Sequence, residues 1–268
     1  MKLIWQFLVR DIRNHFSYRL AFTLQFINIV PVVIMFFYLS RLVDQSVVPD
    51  SLEPYGGKYF PFVLVGIAFQ NYLSVALMNF SASIREAQLS GTLETVMASP
   101  ISLPVFLMGS TAYSFVFNAI RILLFLACGA FLFHFPISLT QLLLASIILI
   151  LTIGAFSSLG ILSAAFILIF KKGDPINWLI NVSSWLLGGV YYPVNILPDW
   201  MQRIAAAIPM THSLEAFRQC FLGTIQWSSM GFHLGILTVW AAIGLPISFL
   251  CFRYALDHCR MAGSRAHY

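Results

Sequence analysis

The chain has 268 residues, 59% of them hydrophobic and only 9% charged, with a formal net charge of +5. Soluble domains are about 45–50% apolar and about 25% charged, and a globule of this size cannot hide so much apolar surface. The basic residues are scattered through loops between long apolar runs, so topology accounts for the positive charge and nucleic-acid binding does not. The expectation is an all-α polytopic membrane protein.

Residues 1–19 read as an amphipathic helix lying on the cytoplasmic surface. Gln6, Arg10, Arg13, Asn14 and Ser17 share one face, and Trp5, Leu8, Val9, Ile12 and Phe16 the other. Charges at Arg10, Asp11, Arg13 and Arg19, with no small-residue cleavage site after them, argue against a removable signal. The helix is either an anchor that fixes topology or a signalling element, and spacing leaves both open.

A membrane crossing needs about 20 apolar residues for about 30 Å of hydrocarbon. Runs 20–40, 59–82, 105–133, 138–170, 176–192 and 231–252 qualify or nearly do. They predict six transmembrane helices within 20–252 and a cytoplasmic tail at 253–268. The third and fourth are long enough to tilt or project. The fifth carries Gly188-Gly189 before Tyr191-Tyr192-Pro193, which predicts a broken or re-entrant end. Lys2, Arg10, Arg13, Arg19, Arg85, Lys171, Lys172, Arg253, Arg260 and Arg265 flank one side of these runs. Arg41, Lys58, Arg203 and Arg218 flank the other, so the positive-inside rule places both termini in the cytoplasm.

Sites for chemistry are absent from the sequence. Gly57-Lys58 is followed by Tyr59 and has Leu52 where a phosphate-binding loop needs glycine. Ser158-Leu159-Gly160 has Phe156 in place of the glycine of a hydrolase elbow. The histidines show no metal-ligand spacing, and Cys128, Cys220, Cys251 and Cys259 form no CxxC pair. No catalytic residue and no metal site is expected, and the chain is not an enzyme by itself. All 10 acidic residues fall in loops or flanking segments. Carriers coupled to protons or sodium commonly hold a carboxylate at mid-membrane, so energy is expected to come from elsewhere.

Arg121 lies inside the third run, where a charge costs about 2.5–3.5 kcal/mol on insertion scales. It faces either an anionic group in a translocation path or a hydrogen-bond acceptor such as Asn118 or a carbonyl. Trp178, Trp185, Tyr191 and Tyr192 belong to the same possible path or to an interfacial belt.

Two loops stand out. The inner one, about 84–100, is bounded by Pro100 and Pro104 and has Leu89, Leu93, Val96 and Met97 at helical spacing. It predicts a short helix whose apolar stripe docks into a partner's groove or packs beneath the bundle. The outer one covers about 190–220. Asp199 follows Pro198 at a helix start, and Trp200, Met201, Ile204 and Ile208 give an apolar face. A second short helix is expected near Thr211, capped by Thr211 or Ser213, with Glu215 and Arg218 as a spaced pair.

At these loops the chain resembles the type-2 permeases of ABC transporters, a family that includes bacterial drug, lipid and polysaccharide exporters. Arg85-Glu86 followed by Gly91-Thr92-Leu93-Glu94 and Ser99-Pro100 looks like the family's coupling-helix region. Tyr192-Pro193, Leu197-Pro198-x-Trp200-x-Gln202, Pro209-x-Thr211-His212 and Glu215-Ala216-x-Arg218 resemble its motif after the fifth span. The resemblance implies a permease working as a dimer, with two copies of a cytoplasmic ABC ATPase that hold ATP and magnesium; this chain would bind no cofactor. It implies coupling through Arg85, Glu86, Gly91, Thr92, Leu93 and Glu94. It also implies residence in a bacterial inner membrane and export of an amphipathic or lipid-linked substrate, with residues 1–19 as an interface helix. An ion-coupled carrier and an ABC-type resistance sensor are the competing readings.

Overall fold

A computed structural model describes residues 2–17, 24, 27, 29–45, 50–92, 103–133, 138–170, 175–222 and 226–261. The described helices are α1 (Lys2–Ser17), α2 (Ile29–Gln45), α3 (Tyr59–Leu89), α4 (Leu103–Phe133), α5 (Leu139–Phe170), α6 (Pro175–Leu187), α7 (Asp199–Ala205), α8 (Pro209–Phe221) and α9 (Trp227–Met261). Short 3-10 turns occupy Asp50–Tyr55 and Val194–Ile196, and no strand occurs among the described residues.

Among the described residues, four helices are long and apolar enough to cross a membrane: α3, α4, α5 and α9. The other two runs expected to cross are not seen at that length among the described residues. Most of 20–28 lies outside the described residues, and α2 itself has 17 residues. Run 176–192 yields α6, whose 13 residues span about 20 Å against about 30 Å of hydrocarbon. It stops at Leu187, and Gly189 turns the chain with φ +75°, where a side chain would be strained. The break expected at Gly188-Gly189 is therefore where the helix ends.

Helix α3 is the axis of the molecule. Of its most apolar stretch 82% is buried, against 11% for α9. Phe62, Phe69, Tyr72, Leu73 and Leu77 join Phe156 of α5 and Phe217 of α8 in the main core. Phe69 and Phe217 meet at 4.9 Å between ring centroids.

Hydrocarbon gives no hydrophobic drive between helices, so contacts rely on small residues and polar bonds. A Cβ added to Gly154 of α5 would lie 2.9 Å from the Ala241 Cβ of α9. One added to Gly244 would lie 2.6 Å from Ser158 Oγ, so these two helices close backbone to backbone. Helix α6 is tied to α3 by polar side chains instead. Gln70 Nε2 and Ser74 Oγ donate to Asn181 Oδ1 at 3.1 and 3.2 Å, and Asn177 Nδ2 donates to Ser81 Oγ at 2.6 Å. Each such bond is worth about 0.6 kcal/mol inside a membrane.

Helix α1 crosses α4 through Phe7, whose ring sits 2.7 Å from where a Cβ on Gly109 would stand and packs edge-on to Phe106 at 6.2 Å. Trp5, on the apolar face expected to rest on the membrane surface, is 66% exposed. The residue that anchors the crossing is Phe7, because only the glycine at 109 leaves room for a ring there.

Candidate functional site

Two constructions sit at opposite ends of α3, and between them they hold most of the residues singled out from sequence. The first is a polar groove of about 520 Å³ between α1, the last turns of α3 and α4. Arg10, Asp11, Glu86, Ser90, Thr92 and Tyr113 are among its lining residues. Arg10 Nε donates to Asp11 Oδ1 at 2.8 Å, and its guanidinium lies 4.8 Å over the Phe7 ring.

The inner loop was expected to begin a separate helix at Ile84. Instead α3 continues unbroken to Leu89, with Ile84 and Ala87 buried on its inner face while Arg85 and Glu86 stay exposed on the other. Its end is built from the motif residues. Ser90 N–H and Oγ both donate to the Glu86 carbonyl, at 2.9 and 2.8 Å, and the Ser90 and Thr92 hydroxyls lie 2.8 Å apart. Gly91 takes φ +66° with nothing within 4 Å of an added Cβ. Glycine is therefore needed there for its backbone and not for space. Leu89 is 72% exposed, while Leu93, Glu94, Val96 and Met97 lie outside the described residues. The groove offers both signs of charge and several hydroxyls.

The second construction is a cap organised by α8, most of whose residues are buried. Arg218 is 2% exposed. Its Nη1 donates to the Gly189 carbonyl at 2.6 Å, and its Nη2 to the carbonyls of Val190 and Phe62 at 3.0 and 3.1 Å. The guanidinium lies 3.5 Å over the Phe62 ring and 5.8 Å from that of Tyr55. Burial pushes its pKa down, while Tyr55 and Glu215 pull it up. Gly66 is part of the same joint, since a Cβ there would stand 2.3 Å from the Val190 oxygen and 2.9 Å from Arg218 Nη2.

The spaced pair expected of Glu215 and Arg218 does not form. Glu215 accepts from the Tyr55 hydroxyl at 2.7 Å and from Gln219 Nε2 at 3.3 Å, and Gln219 also donates to Ser229 of α9 at 3.0 Å. Burial first, and the Glu215 carboxylate second, raise the Tyr55 phenol above its usual pKa and keep it a donor. Arg218 points instead at carbonyls freed by the break after α6, which only a multiple donor can satisfy together.

The cap expected at Thr211 or Ser213 is also corrected. Helix α8 starts after Ile208 with Pro209 in its first turn and no side-chain cap, and Ser213 donates back to the Pro209 carbonyl at 2.9 Å. His212 has a different task. Its Nε2 must donate to the Ala206 carbonyl at 2.8 Å, at the end of α7, because a carbonyl only accepts. Its Nδ1 lies 2.9 Å from His233 Nδ1 of α9, within hydrogen-bond distance.

Pro193 and Pro198 flank the 3-10 turn and start α7, respectively, and Gln202 Nε2 donates to the Leu197 carbonyl at 2.8 Å. Trp200 is 61% exposed. Of the possible path residues, Trp185 meets Tyr191 edge-on at 5.5 Å, and Tyr191 stacks on Phe36 of α2 at 6.0 Å. The Tyr192 hydroxyl donates to the Leu186 carbonyl. Arg121 stands apart on α4 with a buried Nε that has no partner. The Asn118 amide donates to the Ser114 carbonyl at 2.7 Å and not to Arg121's neighbourhood.

Cys220, expected in the outer region, is a free, buried residue of α8 whose thiol donates to the Gln141 carbonyl at 3.3 Å. Burial raises its pKa to about 11, so almost none is thiolate at neutral pH. In a variant with Cys128→Ser, Cys251→Ser and Cys259→Ser, Cys220 should resist maleimide at pH 7 and react fully after denaturation. Rapid labelling of the folded protein would contradict this packing.

Sequence reasoning missed Tyr55, Gly66 and His233. A lone glycine in the run Phe62-Val63-Leu64-Val65-Gly66 was a legible sign of close approach. Nothing local marks the other two.

Comparison with known proteins places these features. Over residues 2–222 the chain matches the family described as ABC-2 type transporter. It is 24% identical over 174 residues to the inner membrane transport permease YadH of Escherichia coli K12, covering 64% of this chain and 66% of that protein. It is 29% identical over 102 residues to nodulation protein J of Rhizobium leguminosarum bv. viciae, 38% of this chain and 39% of that one. With nodulation protein J of Rhizobium meliloti the identity is 28% over 116 residues, 43% and 44% of the two chains. The chain thus spans 66% of the length of YadH and under half of the length of the other two.

Proposed function

The chain belongs to the ABC-2 type transporter family, and from that premise we propose that it is the membrane-spanning permease of an exporter driven by a separate ATP-hydrolysing subunit. The observation that carries this reading is the polar groove where α1, the motif end of α3 and α4 converge. It gathers Glu86 and Thr92 with Arg10 and Asp11 of the N-terminal helix, making one contact surface for a cytoplasmic partner. The absence of a phosphate-binding loop in the sequence agrees with ATP and magnesium being held by that partner.

In this reading the permease lies in a bacterial inner membrane with both termini in the cytoplasm. Six crossings are completed by the segment 20–45 and by α6 with its break, and two permease copies pair with two ATPases. The substrate is amphipathic or lipid-linked, which the aromatic group Phe36–Tyr191–Trp185 beside the α6 break supports. The α8 cap is the rigid outer mouth of the path.

The test is purification of the tagged full chain from native membranes in gentle detergent, with identification of what comes with it and a vanadate-sensitive ATPase assay. A P-loop ATPase should co-purify with activity. A clean chain without any ATPase, from membranes that still export, would overturn the reading in favour of an ion-coupled carrier. A coupled ATPase without measurable flux of any substrate would favour a resistance sensor.

A further inference from the structure

Among the described residues helices α4 and α5 each pack along α3 but make few contacts with one another, and an open crevice of about 380 Å³ runs between them. Tyr72 of α3 and Phe217 of α8, each 1% exposed, line its floor with Ile122 and Ala145. Val116, Leu142 and Ile150 stand exposed at its rim. Among the described residues no charged side chain lines it; the Ser146 hydroxyl is spent on its own helix at the Leu142 carbonyl, 2.8 Å away, and the Tyr72 hydroxyl is buried without a partner.

We infer that this crevice seats one acyl chain of a bilayer phospholipid, in the leaflet at the Leu139 end of α5. The crevice lies within the membrane-crossing lengths of α4 and α5, so what reaches it sideways is hydrocarbon. From Leu142 to Ile153 it follows α5 for about 16 Å, close to half of the about 30 Å hydrocarbon core and hence the depth of one leaflet. Dividing about 380 Å³ by that length gives a mean section of about 24 Å². A helix about 10 Å across needs about 80 Å² and cannot enter it, whereas a single file of methylenes can. The lipid then completes the contact that α4 and α5 make only in part with each other, and excludes the empty space that a packed interior would not tolerate. This inference stands whether or not the permease reading holds.

The experiment reconstitutes the full chain in nanodiscs of phosphatidylcholine carrying a photoactivatable diazirine on one acyl chain, followed by irradiation and peptide mapping. Peptides holding 115–122 and 142–153 should carry adducts in about fivefold excess over those holding Val239, Ile243 and Ile247 on the exposed face of α9, a preference of about 1 kcal/mol. Filling the crevice with Ala119→Phe should abolish that excess and leave the α9 adducts unchanged. Ser146→Phe, on the rim, gives the same test should Ala119→Phe fail to fold. Equal labelling of both faces, meaning ordinary annular lipid only, would overturn the inference. So would an excess that either folded variant leaves intact.

Discussion

Arg218→Met is expected to lower the unfolding temperature of the detergent-solubilised protein by roughly 10 °C, on the order of 3 kcal/mol. The substitution keeps much of the apolar volume over Phe62 but withdraws every donor from the carbonyls of Gly189, Val190 and Phe62. Leaving buried acceptors unpaired costs about 1–3 kcal/mol each, and the Phe62 carbonyl is partly relieved by its own helix. Arg218→Lys should recover less than half of the loss, since a compact ammonium cannot reach all three oxygens in the geometry of a planar fork. Gly66→Ala attacks the joint from the other side, pressing a methyl against the Val190 oxygen, and should resemble Arg218→Met. Thermal unfolding followed by intrinsic fluorescence checks all three; an Arg218→Met protein as stable as the wild type would show that the cap does not hold the chain break.

The second large effect concerns the groove at the other end of α3. With the co-purified ATPase present, Glu86→Arg and Thr92→Trp should each reduce permease-dependent ATP hydrolysis roughly tenfold, about 1.4 kcal/mol of lost coupling. Both positions are exposed, so the unfolding temperature should move by no more than about 2 °C. That pairing of a large functional loss with an unmoved stability is what separates a contact surface from a structural one. Hydrolysis unchanged in both variants would remove the groove from the coupling path, while a fall in stability equal to that of Arg218→Met would make it part of the core.

The architecture was legible wherever it depends on a local property. Apolar length gave α4 and α5, and Gly188-Gly189 gave the end of α6, because φ +75° at Gly189 is a demand that neighbouring residues cannot meet. The continuation of α3 through Arg85 and Glu86 was not legible from apolar runs, since one face turns charged there while Ile84 and Ala87 keep the inner face buried. Arg218 shows the other limit. Its spacing from Glu215 suggested a helix-surface pair, yet its real partners come from residues 62, 189 and 190, brought together only by the fold. His212 likewise read as a motif residue without a task until Ala206 and His233 were seen on its two ring nitrogens. Capping at Thr211 failed for a simpler reason. Pro209 sets the entry to α8 with Ile208 in the cap position, so Thr211 already lies inside the first turn.

Helix α3 has the proportions of a lever. Its Phe62 carbonyl is held by Arg218 while Glu86 stands in the groove, and the 24 residues between them make a stiff arm of about 36 Å. A tilt of about 5° about the clamped end swings Glu86 through about 3 Å, more than half the rise of a helical turn. Because the pivot is made of backbone carbonyls and not of a solvent-exposed ion pair, salt should leave it firm. The arm's two ends are then mechanically one piece, and slack introduced at residue 218 would be felt at residue 86.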